Sequence, residues 1–308
     1  MREFFTVRAV SALFCTIILF SCAKNNDELT ICFTGDLLLD RGVRQQIEFR
    51  GVDALFDSVA PVFRSADAVV VNLECPATEQ NAPINKRFIF RADPQWLPAL
   101  KKAGITHAAL ANNHTNDQGR GGLEDTYNNL KNNDLIPIGA GKNAETAAKP
   151  VIIKKGKIKA AIFNSVLVPL ENWVVLPDDF SVNQQSASEL CENIKFFKHK
   201  NKNCFVVAVL HWGVEYDSIP NAEQRFAAHS LIDAGADAVV GHHPHVVQQL
   251  EYYHNKPIFY SLGNFIFDSK NPAANEGVLA TLTFSEKGIK TETQKYRIEQ
   301  CKPLIFKK

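Results

Sequence analysis

What this sequence lacks narrows it before any motif is read. Its seven cysteines form no CxxC pair. With Cys15 and Cys22 set in an N-terminal leader, Cys32, Cys75, Cys191, Cys204 and Cys301 remain, an odd set that indicates neither a zinc ribbon nor a dense disulfide framework. A surplus of one charge is missing too. Lys and Arg number 34 against 33 Asp and Glu, and a formal net charge of +1 gives no long-range field to draw in nucleic acid. Repeats, low-complexity tracts and internal linkers are absent from 29–308, which predicts one domain there. The composition, 45% hydrophobic and 22% charged over 308 residues, is that of a globular chain able to bury a sizeable core.

The N-terminus reads differently from everything after it. Arg2 and Arg8 lie in and beside a short n-region, the run 9–20 is almost wholly apolar, and it ends at Ser21-Cys22. That run is too short to span a bilayer comfortably as a helix, so 1–22 reads as a signal peptide. Leu19-Phe20-Ser21-Cys22 resembles a bacterial lipobox, in which Cys22 is lipidated and becomes the mature N-terminus, with 23–29 as a short tether. The expectation is a lipid-anchored envelope protein facing outside the cytoplasm. An ordinary secreted protein and an uncleaved anchor are the alternatives.

Strand-like runs then alternate with helical spacings. The stretches 29–33, 68–71, 105–111, 136–138, 204–210, 238–240 and 258–260 read as strands, and 53–64, 94–102, 122–132, 188–199 and 222–234 as helices. Two apolar runs within 151–166 form a hairpin signature, 278–284 and 290–298 a closing pair of strands, and 171–185 a surface loop over the site. Such alternation predicts a layered α/β fold.

Chemistry gathers at the strand ends. Asp36, Glu74, Asn113 with His114, His211, His243 with His245, and Asn264 each follow an apolar run. Singly they have dull readings, as a cap, a surface carboxylate or a turn residue. Repeated at successive strand ends they point to one site, because layered α/β connectivity brings those ends to a common edge. On extended backbone His243 and His245 point the same way, and each imidazole presents one lone pair to a cation. Mixed oxygen and nitrogen donors suit Zn, Mn or Fe rather than calcium.

Seven motifs carry a family resemblance: Thr34-Gly35-Asp36; Asn72-Leu73-Glu74; Asn112-Asn113-His114 with Asp117 and Gly119; His211-Trp212-Gly213; Asp233 to Asp237; Gly241 to His245; and Tyr260 to Phe265. Together they resemble the CapA family of capsule-synthesis proteins, associated with poly-γ-glutamate, which is in turn similar to calcineurin-like metallophosphoesterases. The resemblance implies a four-layer αββα sandwich and one or two divalent metal ions. It implies Glu74 as a bridging carboxylate, Asn113, His211 and His243 as ligands of one metal, and Asp36 and His245 as ligands of the other. His114 is similar to the histidine that protonates the leaving group, while His242 and Asn264 stand behind the ligands. Three positions depart from the phosphoesterase pattern: Leu38 replaces a histidine, Glu74 an aspartate, and Thr115 an acidic residue. Asp40 is the candidate substitute for the ligand missing at Leu38, if 36–40 forms a helical turn.

Lesser residues have blander readings. Arg87 and Arg91 read as a solvated strand face, with polyanion recognition as the alternative. Trp212 reads as packing, and His107 and His229 as structural histidines. The resemblance implies metal-dependent hydrolase or transferase chemistry on an anionic envelope polymer or its precursor, alongside other capsule-synthesis subunits. A non-catalytic polymer-binding or scaffold subunit and a secreted metallophosphoesterase are the alternatives.

Overall fold

The computed structural model describes residues 28–176 and 178–306, so the leader, its lipobox and Cys22 lie outside the described residues. The order opens with β1 (Leu29–Leu37), α1 (Gly42–Arg50), α2 (Ala60–Ser65), β2 (Ala68–Leu73), α3 (Leu97–Ala103), β3 (His107–Ala109), α4 (Gly119–Asn132) and β4 (Ile136–Ile138). The short β5 (Ala140–Gly141) and α5 (Ala144–Ala147) lead to β6 (Val151–Lys155), β7 (Ile158–Val166), β8 (Ser181–Val182), α6 (Ala187–Lys200) and β9 (Phe205–His211). Next come α7 (Ala222–Asp233), β10 (Ala238–His242), β11 (Leu250–Tyr253), β12 (Lys256–Phe259) and β13 (Asn264–Ile266). Three antiparallel strands close the chain: β14 (Glu276–Ser285), β15 (Gly288–Glu299) and β16 (Lys302–Ile305).

Two large sheets result. The first runs β16-β15-β14-β1-β2-β3-β4, with β13 also pairing β1, and the second runs β11-β12-β10-β9-β7-β6. Side-chain alternation then sorts the core into layers. Leu29, Ile31 and Phe33 of β1 meet Val207 and Val209 of β9 between the sheets. On the outer side of the first sheet, Cys32, Val69 and Val71 pack beneath Phe63, Leu100, Leu123 and Leu130 of the helices. On the outer side of the second, Val206, Ala208 and Leu210 pack beneath Leu190, Ile194 and Leu231. Helix, sheet, sheet, helix is the four-layer order expected from the family resemblance.

Registers place the site. Strands β1, β2, β3 and β4 are mutually parallel, as are β7, β9, β10 and β12, so the C-terminal ends of each set share an edge. Asp36 is level with Asn72 on one side and Asn264 on the other, and His242 is level with His211. Two glycines let backbones touch there. A Cβ on Gly35 would sit 1.9 Å from the Gly263 carbonyl oxygen, and one on Gly241 would sit 2.1 Å from that of Tyr260.

Several local expectations are corrected. The helix expected over 53–64 is split into a 3-10 turn, Val52–Leu55, and α2, because Pro61 in the first turn of α2 lacks the N–H that a continuous helix requires. No helical turn forms at 36–40: β1 continues to Leu37, and Asp40 instead accepts hydrogen bonds from the main-chain N–H groups of Arg41 and Arg91 and from Arg44 Nε. Asp40 therefore serves the start of α1, an element whose only buried residues, Val43 and Ile47, give too thin an apolar stripe to announce it. The segment carrying Arg87 and Arg91 is irregular rather than a strand, and Arg91 binds the carbonyls of Glu79 and Gln80. The 171–185 stretch is mostly irregular, contributes β8, and is tied down by Arg120 through the carbonyls of Val174 and Phe180.

Candidate metal centre

Six of the expected ligand residues converge where the two sheet edges meet. Asp36, Glu74 and His211 offer donor atoms that all lie within 4.8 Å of one another, and all three residues are buried. Around His211, Nε2 lies 2.8 Å from Asn113 Oδ1 and 3.1 Å from His243 Nδ1. Around His245, Nδ1 is 3.3 Å from Asp36 Oδ2 and Nε2 is 3.7 Å from Glu74 Oε1. The last two histidines occupy strained backbone, with φ of +98° at His243 and +59° at His245, a conformation that a non-glycine residue holds only when its surroundings over-determine it.

Neighbouring side chains fix the ring and carboxylate orientations. Asn264 Oδ1 accepts from His245 Nδ1 at 2.9 Å, and its Nδ2 donates to the Ala274 carbonyl at 3.0 Å, which leaves His245 Nε2 facing the Glu74 side. His242 turns away from the donor atoms and donates from Nε2 to the Thr34 carbonyl at 2.9 Å, joining β10 to β1. An amide chain that the sequence reading left without a role runs behind the site. Asn72 Nδ2 donates to Asp36 Oδ1 at 2.8 Å, Asn112 Nδ2 donates to Asn72 Oδ1 at 3.2 Å, and Asn112 Oδ1 accepts from the His114 N–H at 3.0 Å. Asp117 is the other such residue: its Oδ2 accepts from His114 Nδ1 at 2.8 Å. Three residues downstream of His114, it supplies the carboxylate that Thr115 does not, leaving Nε2 as the free nitrogen.

The electrostatics ask for a cation. Burial, then the neighbouring Asp36, pushes the Glu74 carboxyl well above the usual range, and neither of its oxygens has a hydrogen-bond partner. Burial would also raise Asp36, but His245 and His242 hold it below the ordinary value. His211 and His243 are pushed down by burial and by neighbouring imidazoles, His243 to about 4, so both keep their lone pairs at neutral pH. Burial opposes protonation of His245 as well, yet Glu74 and Asp36 raise it to about 9. A buried carboxyl without a hydrogen-bond partner, beside the neutral imidazoles of His211 and His243, fits a divalent cation, whose charge would displace the protons that Glu74 and His245 otherwise hold.

Leu38 supplies no donor: it is fully buried within the apolar cluster under the helices of the first sheet. Outside the donor set, a cleft of about 700 Å³ opens over His114 and His245, with Arg41, Arg87, Phe88 and Phe90 on its walls. Arg87 thus stands at the mouth of the site while Arg91 does not. Trp212 stacks on Tyr260 and donates to its carbonyl. His107 pairs with Thr106, and His229 with Glu251.

This geometry can be set beside known proteins. The family model described as bacterial capsule synthesis protein PGA_cap matches residues 30–269, which contain every donor above. The chain belongs to this capsule-synthesis family. Among family relatives, the PGA biosynthesis protein CapA of Bacillus subtilis (strain 168) is 32% identical over 293 residues, covering 92% of this chain and 75% of that protein. The capsule biosynthesis protein CapA of Bacillus anthracis is 33% identical over 252 residues, covering 80% of this chain and 61% of that protein. Two solved structures share the fold of this chain. A putative 5'-nucleotidase from Staphylococcus aureus has a TM-score of 0.55 at 13% identity, covering 90% of this chain and 54% of its own. The NAD nucleotidase of Haemophilus influenzae has a TM-score of 0.51 at 13% identity, covering 91% and 60%. The chain therefore shares its fold with these two nucleotidases.

Proposed function

We propose that this protein acts in the synthesis, processing or attachment of a capsule polymer such as poly-γ-glutamate, through metal-dependent hydrolase or transferase chemistry. Its place would be the bacterial cell envelope, outside the cytoplasm, held by a lipid on Cys22 and working beside other capsule-synthesis subunits. The family supports the polymer assignment. The observation that carries the chemistry is Glu74, a fully buried carboxylate with two unpartnered oxygens inside a ring of Asp, Asn and His donors.

In this reading Asn113, His211 and His243 would hold one cation, Asp36 with His245 would serve a second position that Leu38 leaves a ligand short, and Glu74 would be the carboxylate common to both. Mixed nitrogen and oxygen donors favour Zn, Mn or Fe. A divalent ion so held supplies Lewis acidity and lowers the pKa of water. The chain does the rest. His114, its Nδ1 engaged by Asp117, keeps the Nε2 lone pair on the cleft wall, where it would first take up a proton from water and then, as an imidazolium paired with Asp117, give that proton to a leaving group. Arg41 and Arg87 face an incoming anionic chain, where guanidinium groups match carboxylates. Phe90, whose ring lies 4.1 Å from that of His114, and Phe267, 4.8 Å from His245, keep water away from both imidazoles.

A second reading is favoured by one observation: with Leu38 in the apolar core, the Asp36 side lacks a donor. On that reading the site is a structural cation site in a non-catalytic polymer-binding subunit. Metal analysis together with complementation of a capsule-deficient strain separates the two. Catalysis requires bound Zn, Mn or Fe that His243→Ala removes, and requires that His114→Ala fail to restore polymer. Full complementation by His114→Ala with metal retained would leave only the subunit reading.

A further inference from the structure

One buried charge is used by neither the metal ligands nor the cleft. The Lys86 side chain is only 2% exposed, and it enters from the irregular segment between β2 and α3. Lysine is seldom buried so completely, and when it is, its charge must be met. Two acceptors meet this charge directly, and one ring nitrogen borders it. Nζ donates to Asp117 Oδ1 at 2.9 Å, donates to the main-chain carbonyl of Asn113, and lies 3.4 Å from His114 Nδ1. Asp117, fully buried, is surrounded in turn: its Oδ2 takes the His114 Nδ1 hydrogen at 2.8 Å and the Phe90 N–H at 2.7 Å.

We propose that Lys86 is a positioning residue for this site, a single ammonium that clamps the Asn113–His114 turn by its main chain and, through Asp117, fixes the His114 ring. A plain counter-ion for Asp117 would have no need of the Asn113 carbonyl. By holding that carbonyl, Lys86 sets the backbone from which Asn113 Oδ1 reaches His211 Nε2. By holding Asp117 Oδ1, it turns Oδ2 toward His114. With an acceptor-only carboxylate at Nδ1, the neutral imidazole carries its hydrogen there and keeps its lone pair at Nε2. The donor side and the proton-transfer side of the site are thereby set by one group, and the segment that carries it also places Arg87 and Phe90 on the cleft wall. The functional consequence rests on the metal-dependent reading above, but the geometric claim does not.

The test is made on the full chain by long-range proton–nitrogen NMR of the histidine rings, with and without added Zn. The wild type is expected to show His114 as the Nδ1–H tautomer, and a slowly exchanging lysine ammonium with a cross-peak to that ring. Lys86→Met is expected to give mixed His114 tautomers and Zn binding weakened about 10- to 100-fold, the usual cost of losing a group that orients a ligand, while Lys86→Arg restores the Nδ1–H form. An unchanged His114 tautomer in Lys86→Met overturns the proposal. Should that variant not fold, the wild-type spectrum decides alone: absence of the protected ammonium overturns it. Because tautomer and ammonium are read without turnover, a protein that proves inactive or binds no Zn disproves the functional reading and leaves this one to stand or fall separately.

Discussion

The two sheets contribute different elements to the site. The first sheet and the loops at its strand ends deliver only oxygen donors, Asp36, Glu74 and Asn113; the second delivers only nitrogen donors, His211, His243 and His245. Their routes differ as well. The oxygen donors stand at the ends of three separate parallel strands, β1, β2 and β3, while two of the three imidazoles come from one strained loop after β10. On the metal reading, a purely oxygen set would suit a hard cation such as calcium, whereas the mixture would favour a transition metal. The mixed donor set is therefore a property of the sheet–sheet contact, and neither sheet has it alone.

Four measurements would break or sharpen this contrast. Removing the metal has the largest expected effect, since an ion bridging the sheets stabilises them by about 4 kcal/mol when present at a thousand times its dissociation constant. Urea titration with and without chelator should show that difference, and His243→Ala should abolish it. Gly241→Ala should come next. Its Cβ would lie 2.1 Å from the Tyr260 carbonyl oxygen and 2.4 Å from Trp212 Nε1, which pushes β10 away from β12 at a cost of about 3 kcal/mol and drags the imidazole pair with it. At Gly51, which has nothing within 4 Å but a φ of +81°, the same substitution carries backbone strain without a clash and so sets the non-steric scale.

His107, on β3 of the oxygen-bearing sheet, serves as an internal control. Burial, with help from Lys101, lowers it to about 4 from an ordinary 6.5. The unfolded chain then takes up the proton first, so this contribution is complete above pH 6.5 and is lost as pH falls toward 4, by about 3 kcal/mol. His107→Asn should flatten that part of the pH–stability curve with metal present or absent. If the slope follows the metal instead, the titration belongs to the donor set. The smallest effect is expected at His242. His242→Leu strands the buried Thr34 carbonyl for about 1–2 kcal/mol, yet metal content should be unchanged. A loss of metal would make His242 a ligand and the second sheet's share of donors larger than described.

The layers were legible in the sequence because period-2 burial writes them there: Val69 and Val71 face one cluster and Ala68 and Val70 the other. Strand ends were legible for the same reason, an apolar run stopping at a polar residue. What stayed hidden depends on long-range placement. Nothing local marks Lys86, which sits among polar residues in a segment without periodicity, and only the approach of Asp117 and the Asn113 carbonyl gives it meaning. Asn72 and Asn112 look like ordinary turn residues until their amides are seen to line up behind Asp36 and His114. Asp40 was misplaced because four-residue spacing implies a shared face only inside a helix, and β1 runs through Asp36 instead. The leader and Cys22 rest on sequence alone.

The hydrogen bond from His242 to the Thr34 carbonyl spans 208 positions of chain. Contacts this distant in sequence are the slowest to form, because a large loop must close before they are rewarded. Neither β1 nor β10 can complete the centre early in folding, and β13, which brings Asn264, follows later still. Full donor geometry thus appears only when nearly the entire chain has folded, so uptake of a metal ion would act as a time stamp for the end of folding.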